Sequence, residues 1–265
     1  MNIENLQPVA GDHAVQSVHF VVEWGGPLPT DSILALGKLN SKFRNLGYGN
    51  VLPQNRVQLK LDGSGPTTTT HGVSGYIFTQ HPQPEVGRQI GVNAENCTIM
   101  FPDYTRWDNV FNDVQEVVKL ILDEVGTQRP IRTIGLQYND AFLWNDDPEE
   151  LNLQEVFKSD FVIPPHVFSL AGLWHLHHGF FEKFAAPLPH VVLQNINVDM
   201  VDSNAGRVLQ IVGSHKATLN ELLWQPHKKN KAEFLAMFGH LHELNKVMLR
   251  KLLMENICKR IKLDS

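Results

Sequence analysis

Two histidines separated by one position, His175 and His177, are the residues of this sequence best suited to chemistry. If their segment is a β-strand, both imidazoles project from one face, and Trp174 and Leu176 project from the other. Two imidazoles at this spacing on a strand can share a metal ion. The pair therefore raises the hypothesis of a metal-dependent hydrolase built on the His175/His177 face.

A second row of polar residues follows in the next apolar run, where Asn195, Asn197 and Asp199 alternate with apolar residues. If the two strands pair in the right register, Asn197 and Asp199 meet the two histidines. They would then complete a ligand set, or a polar face that binds a partner. The ordinary alternative is the solvated face of an amphipathic sheet, which is the interpretation we favour. We expect no metal and no cofactor.

Familiar catalytic motifs do not occur in the sequence. It contains no Gly-x-Ser-x-Gly elbow, no Gly-x-x-x-x-Gly-Lys-Ser/Thr loop and no Gly-x-Gly-x-x-Gly segment after a strand. His240 and His242 lie in a segment expected to be helical, where residues two apart point in nearly opposite directions. We interpret them as decoration of the helix surface. No catalytic residue is assigned, and an enzyme is not favoured.

The charge balance limits the partners that the chain can bind. It has 23 basic and 28 acidic residues and a formal net charge of −5. Wide, non-specific contact with nucleic acid is therefore not expected, because it needs a surplus of Lys and Arg. The final third is nevertheless locally basic, at His227–Lys231 and Lys259–Lys262. Nucleic-acid binding through this basic C-terminal helix stays open as an alternative to ordinary surface charge.

The cysteines and the N-terminus indicate a cellular compartment. Cys97 and Cys258 are too few and too far apart for a disulfide framework or a zinc module, which favours a reducing environment. The first residues lack the basic start and apolar core of a signal peptide. No window approaches 18 consecutive apolar residues. The sequence therefore predicts a cytoplasmic protein that has no membrane partner.

Hydrophobic spacing predicts the elements of residues 1–140. A strand is expected at Val18–Trp24, and apolar residues at helical spacing predict one helix from Thr30 to about Leu46. Short β-type runs then predict an antiparallel meander, followed by a helix with one apolar stripe and a returning strand at Ile131–Asn139. The runs of the meander are Arg56–Leu61, Gly72–Gln80, Arg88–Val92 and Cys97–Phe101, and the stripe is Trp107, Phe111, Val114, Val118, Ile121 and Val125.

Residues 141–170 are polar and rich in proline, and predict a linker or a crossing segment between domains. Beyond them, residues 171–265 are expected to form three strands and a final helix that begins near Asn230 and runs almost to the end. The predicted fold class is α+β: antiparallel sheets packed against long helices, in two halves, 1–140 and 171–265, that could be related. The three runs are Leu173–Phe184, Val191–Val201 and Arg207–Leu219.

Four segments carry a resemblance to known proteins: Phe20–Trp24, Tyr104–Trp107, Ile131–Asn139 and Leu241–Glu243. The second resembles an aromatic-x-Arg-Trp helix start, and the third resembles an Arg-x-Gly-Leu-Arg-Tyr-x-Asn strand. In these segments the chain resembles an uncharacterised, sporadically distributed family of bacterial hypothetical proteins that has no assigned activity. Such patchy distribution is common among mobile defence, toxin–antitoxin and immunity genes, so the resemblance implies a setting of this kind.

The leading hypothesis is a non-enzymatic, protein-binding subunit or regulator in a bacterial defence or toxin–antitoxin-like system. Its partner would be another protein encoded nearby, and a homo-oligomer stays open. The alternatives are a small-molecule or nucleotide sensor with a cavity between sheet and helix, and the metal-dependent hydrolase. The candidate binding residues are Trp107, Arg132, Tyr138, His175, His177, Asn197 and Asp199.

Overall fold

A computed structural model shows strands and helices along most of the chain. The residues that it describes are 3–62, 65–81, 87–147, 150–159, 162–170 and 172–264. The strands, in chain order, are β1 (Leu6–Pro8), β2 (Val15–Trp24), β3 (Asn50–Asp62), β4 (Gly65–Thr79), β5 (Gln89–Asn93), β6 (Asn96–Phe101), β7 (Ile131–Trp144), β8 (Trp174–Phe184), β9 (His190–Ser203) and β10 (Gly206–Leu223).

These strands join in a sheet with the order β3-β4-β5-β6-β2-β7-β10-β9-β8, and β1 pairs with β7. Strands β3 to β6 form the antiparallel meander that the sequence predicts, and β8 pairs with β9 in the same sense. Each of these strands therefore folds back on the one before it. The mostly antiparallel sheet, together with several helices, confirms the α+β class.

The helices are α1 (Thr30–Leu36), α2 (Leu39–Asn45), α3 (Trp107–Val125), α4 (Pro226–Lys229), α5 (Lys231–Leu252) and α6 (Glu255–Arg260). The prediction of long helices is not confirmed. The single helix expected from Thr30 is two seven-residue helices, α1 and α2. Among the described residues, no helix is both long enough and apolar enough to cross a membrane.

The final helix is interrupted because its end takes part in strand-like pairing. Leu253 forms an isolated β-bridge with Phe157, and the amide of Met254 donates to the carbonyl of Val156. A backbone committed to these partners cannot continue the helical hydrogen bonds. The chain therefore leaves α5 at Leu252 and resumes helical structure only in α6.

The chain divides into two compact units, which are described separately. Unit 1 comprises Met1–Val18, Gly135–Ala217 and Ala236–Ser265, and unit 2 comprises His19–Ile134 and Thr218–Leu235. Each unit therefore collects segments that are distant in sequence.

Aromatic stacking organises the core of unit 2. The Phe20 ring on β2 stacks on Trp107 and Phe111 of α3, with ring centroids 5.7 Å and 6.5 Å apart. Trp107 and Phe111 also stack on each other, with centroids 4.7 Å apart. The rest of the predicted α3 stripe is buried, so the amphipathic helix is confirmed. These buried residues are Val114, Val118, Ile121 and Val125.

In unit 1, the segment 141–170 belongs to the hydrophobic core rather than lying outside it. It begins with the last residues of β7, and its described residues include the 3₁₀ helices Leu153–Glu155 and Pro165–Ser169. Its apolar side chains pack with those of β9, β10 and α5 in one buried cluster. Burial of this apolar surface stabilises the unit. The members from this segment are Phe142, Trp144, Leu153, Val156, Phe157, Val162, Ile163 and Val167.

A glycine allows α5 to approach β10 closely. A Cβ atom at Gly213 would overlap the Asn245 side chain and would lie 2.7 Å from Cε of Met248. Close packing leaves no room for even one extra methyl group at such a contact. Gly213 therefore fixes how deeply Asn245 and Met248 insert against the sheet.

Gly213→Ala should destabilise the folded protein by about 1–3 kcal/mol, because the added methyl group must displace Asn245 or Met248. The free energy of unfolding, measured by denaturant titration at pH 7, checks this.

Gly239→Ala serves as the control, since it lies within α5 and a Cβ there meets nothing within 4 Å. It should stabilise the protein by about 0.5–1 kcal/mol through helix propensity. Equal effects of the two substitutions would contradict the close approach at Gly213.

Candidate functional site

The antiparallel register of β8 and β9 sets the two predicted histidines opposite two polar residues. His175 lies opposite Asp199, and His177 lies opposite Asn197. In each pair, Nδ1 of the imidazole contacts the side-chain Oδ1 atom across the strand. The structure thus brings together four residues singled out from the sequence, as two cross-strand pairs on one face.

These pairs lie at the surface, where water competes with them. The His175 side chain is 63% exposed, and an ion pair in such a position contributes little to stability. Within the described ranges, no group of three or more His, Cys, Asp or Glu side chains could hold a metal ion. The two pairs are hydrogen-bonding groups open to solvent on one face of the sheet.

Apolar side chains accompany the polar pairs on the same face. Phe181 follows His175 and His177 at alternate positions, so it projects to the same side. It is 73% exposed and lies opposite Leu193 of β9, while Leu173, just before β8, is 57% exposed. We define the β8 outer face as His175, His177 and Phe181 of β8 with Leu193, Asn197 and Asp199 of β9.

The other three candidate residues occupy different surroundings. Trp107 is half-buried in the aromatic stack of unit 2, and Arg132 is exposed on β7. Tyr138 is 2% exposed, and its hydroxyl lies 2.8 Å from Nδ1 of His242 on α5. Because of this burial, Tyr138 is not available to a macromolecular partner.

Three histidines whose meeting the sequence did not predict lie between the sheet and α5 in unit 1: His190 and His215 are buried, and His240 is half-buried. The His240 ring packs edge-on against His190, with centroids 5.2 Å apart, and against Phe184, at 4.7 Å. His240 also interacts electrostatically with His215 of β10. We call His190, His215 and His240 the imidazole cluster.

The hydrogen bonds of two cluster members determine which ring nitrogen carries a proton. Nδ1 of His190 lies 2.6 Å from the carbonyl oxygen of Leu188, and Nε2 of His215 lies 3.2 Å from Oδ1 of Asn245. Both oxygens only accept, so these two nitrogens donate. In the neutral His215 ring, the other nitrogen, Nδ1, is then an acceptor. Nδ1 of His215 and Nε2 of His190 are both buried, with no hydrogen-bond partner among the described residues.

Burial favours the neutral form of His215, His240 and His242. It lowers the pKa of His215 to about 4, against an opposing contribution from the Asn245 hydrogen bond. It also lowers the pKa of His240 and lowers that of His242 to about 4. A charged imidazole loses its hydration in such a position, so the neutral form is favoured.

The interpretation of His240 and His242 as surface decoration is therefore wrong. Their side chains do point in different directions, as the helical spacing requires, but each direction leads to a partner inside unit 1. His240 meets His190 and Phe184, and His242 meets Tyr138.

A buried carboxyl group stands apart from the cluster. Asp140 on β7 is 4% exposed, and its Oδ2 atom has no hydrogen-bond partner in the described part of the chain. Burial raises its pKa to about 7. Its negative charge is therefore unfavourable in the folded state.

No protein-family model matches the chain. No curated protein sequence matches it either. Among solved structures, it is similar to the di-domain ARO/CYC StfQ from the steffimycin biosynthetic pathway, at 10% sequence identity and a TM-score of 0.20. That alignment covers 92% of this chain and 96% of the other. A TM-score this low supports no inference about fold or function.

The free energy of unfolding should fall as the pH falls from about 6.5 to about 4, because His215 binds a proton near pH 6.5 when unfolded and near pH 4 when folded. Its contribution is on the order of 3 kcal/mol, present above pH 6.5 and lost through that range. His215→Gln should reduce the loss by a similar amount, as measured by denaturant unfolding at pH 7 and pH 4.5.

Asp140→Asn provides a control, because the contribution of Asp140 to the free energy of unfolding changes with pH in the opposite direction. The folded pKa of Asp140 is raised, so its contribution favours folding at low pH and is lost as the pH rises from about 4 to about 7. This variant should remove that contribution, so its free energy of unfolding should fall more between pH 7 and pH 4.5 than that of the unaltered protein. An unaltered pH profile in His215→Gln would contradict the assignment of a buried neutral imidazole.

Proposed function

We propose that the chain is a non-enzymatic binding protein that recognises another protein through the β8 outer face and the adjoining strand edge. The observation that carries this proposal is the position of β8, which ends the strand order of the sheet and has β9 as its neighbour. In the described part of the chain, no strand covers its other edge.

The free edge of β8 is well formed for pairing with a further strand. All eleven residues of the strand pair with β9 in continuous register from Trp174 to Phe184. The strand contains no proline, and charged residues occur in it at Glu182 and Lys183. Proteins commonly block exposed edges with proline, bulges or charges. The segment Trp174–Phe181, which precedes the two charged residues, carries no such block and favours strand addition by a partner.

The side chains of the outer face also fit protein recognition. Exposed Phe181 and Leu173 supply apolar area, and the two histidine pairs lie between them along the strand. An aromatic anchor rimmed by polar side chains is the usual arrangement of a binding hot spot. Because Nδ1 of each histidine is already used across the strand, recognition is favoured over reaction.

The biological setting is a finer part of the same proposal. We place the protein in a bacterial defence or toxin–antitoxin-like system, with a partner encoded nearby, on the strength of the family resemblance and its sporadic distribution. Two outcomes compete with this proposal. One is a homo-oligomer that pairs through the same edge, and the other is nucleic-acid binding at the basic final helix.

We also infer that the chain is built from two related halves, the second of which begins at β7 and not at residue 171 as the sequence predicted. In the first half, strand β2 precedes the helices α1 and α2, the meander β3–β6 and the helix α3. In the second half, strand β7 precedes the 3₁₀ helices Leu153–Glu155 and Pro165–Ser169, the meander β8–β10 and the helix α5. In each half the first strand lies beside the last strand of its own meander, β2 beside β6 and β7 beside β10. This shared order supports a duplication.

A small-molecule sensor is the second candidate, and the imidazole cluster favours it. Nε2 of His190 and Nδ1 of His215 are buried and have no hydrogen-bond partner in the described part of the chain. A ligand that donates a hydrogen bond to Nδ1 of His215 would satisfy it, and a buried acceptor gains most from such a partner.

Phe181→Asp should reduce recovery of the partner at least about tenfold, because a carboxylate forced into an apolar contact costs several kcal/mol. The tagged protein would be expressed with its native neighbouring genes, and the co-purified neighbour products quantified by mass spectrometry.

Leu34→Asp is the matched control, since Leu34 on α1 is 52% exposed and belongs to unit 2. It should leave recovery unchanged. The proposal fails if no neighbour product binds the unaltered protein, or if the two aspartate variants lose the partner equally.

For the sensor, a panel of nucleotides, nucleosides and lipids should contain a compound that raises the melting temperature, since a ligand of the native state stabilises it. The shift should disappear in His215→Gln and persist in Phe181→Asp. A shift that persists in His215→Gln would place the ligand elsewhere.

A further inference from the structure

A pocket of about 510 Å³ in unit 1 gathers four basic side chains. They come from separate stretches of the chain. Lys158 follows the 3₁₀ helix Leu153–Glu155, and Arg250 lies in the last turn of α5. Lys259 lies in the last turn of α6, and Lys262 follows that helix. Like charges repel one another, so this convergence is unfavourable unless an anion compensates it.

Helix dipoles explain only part of this arrangement. Basic residues near a helix C-terminus offset its partial negative charge, which accounts for Arg250 and Lys259. Lys158 belongs to no helix, yet its Nζ atom donates to the carbonyl oxygen of Arg250 at 2.8 Å. This contact spans 92 positions of sequence and holds the ammonium group at the pocket.

A carboxylate of the chain itself, that of Asp264, already binds the Arg250 guanidinium. Nε of Arg250 donates to Oδ1 of Asp264 at 2.9 Å, and Nη2 donates to the same oxygen. The planar guanidinium suits carboxylate and phosphate alike. The Asp264 side chain is 62% exposed, so it gains little from this pair and is easily displaced.

The remainder of the pocket is mostly neutral. Burial raises the pKa of the Cys258 thiol, which therefore stays protonated, and Leu263 adds an apolar surface beside it. Glu255 is a second acidic side chain in the lining. Lys262 already pairs with Asp12, its Nζ atom lying 2.9 Å from Oδ2. Displacement of Asp264 would therefore leave Lys158, Arg250 and Lys259 facing one carboxylate, that of Glu255, a balance that suits a multiply charged anion.

We propose that this pocket binds the phosphate group of a small phosphorylated molecule, which replaces Asp264 on Arg250. The volume suits a ligand of metabolite size. Lys259 has no acidic partner within the described ranges and would complete the contacts to phosphate. The proposal is independent of the β8 outer face, since the two sites share no residue.

Inorganic pyrophosphate is the probe, with its dissociation constant measured by titration calorimetry at low salt. Asp264→Asn removes the internal competitor and should tighten binding about two- to fivefold. Arg250→Gln removes a charge-assisted, forked donor and should weaken it at least about tenfold.

Lys259→Gln tests the same pocket at an exposed position and should also weaken pyrophosphate binding. It provides the test if Arg250→Gln does not fold. Lys229→Gln, an exposed lysine of unit 2, is the control for general charge and should bind as the unaltered protein does. If Lys229→Gln and Lys259→Gln weakened pyrophosphate binding equally, the proposal would be overturned in favour of diffuse attraction between the anion and the basic surface. An affinity for pyrophosphate that Asp264→Asn does not change would also overturn it. Tighter binding of a single-stranded oligonucleotide than of pyrophosphate, lost in Lys229→Gln, would reassign the basic surface to nucleic acid.

Discussion

The register between β8 and β9 determines what unit 1 exposes and what it buries. Side chains alternate along a strand, so a slip of one position would move His175, His177 and Phe181 to the buried face. The inward row of β9 opposes such a slip, because it is buried along its whole length. Its members are His190, Val192, Gln194, Ile196, Val198 and Met200. Both the outer recognition face and the imidazole cluster depend on this single alignment.

Much of the fold could be predicted because the signals are local. The alternation in β8 and β9, the α3 stripe and the meander each follow from residues close together in sequence. The interruption after α5 could not, because Leu253 leaves the helix to pair with Phe157, nearly a hundred residues earlier. The strand order could not be predicted either, because it depends on contacts between distant segments that hydrophobic periodicity does not encode.

The candidate site was partly predictable for the same reason. The meeting of His175 with Asp199 and of His177 with Asn197 needed only two amphipathic strands in the right register. The imidazole cluster was missed, although alternation offered a signal. His190 and His215 occupy inward positions among apolar neighbours, where a neutral histidine needs a partner. His240 gave no such signal, because β9 rather than its own helix buries it.

The central claim, that the free edge of β8 receives a partner, can be tested by amide hydrogen exchange along Trp174–Phe184. In the isolated protein, amides on the unpaired edge should exchange rapidly, while those bonded to β9 should be protected. In a complex with the product of a neighbouring gene, the edge amides should become protected as well. Edge amides that are protected before any partner binds, or that remain fast in the complex, would contradict the account.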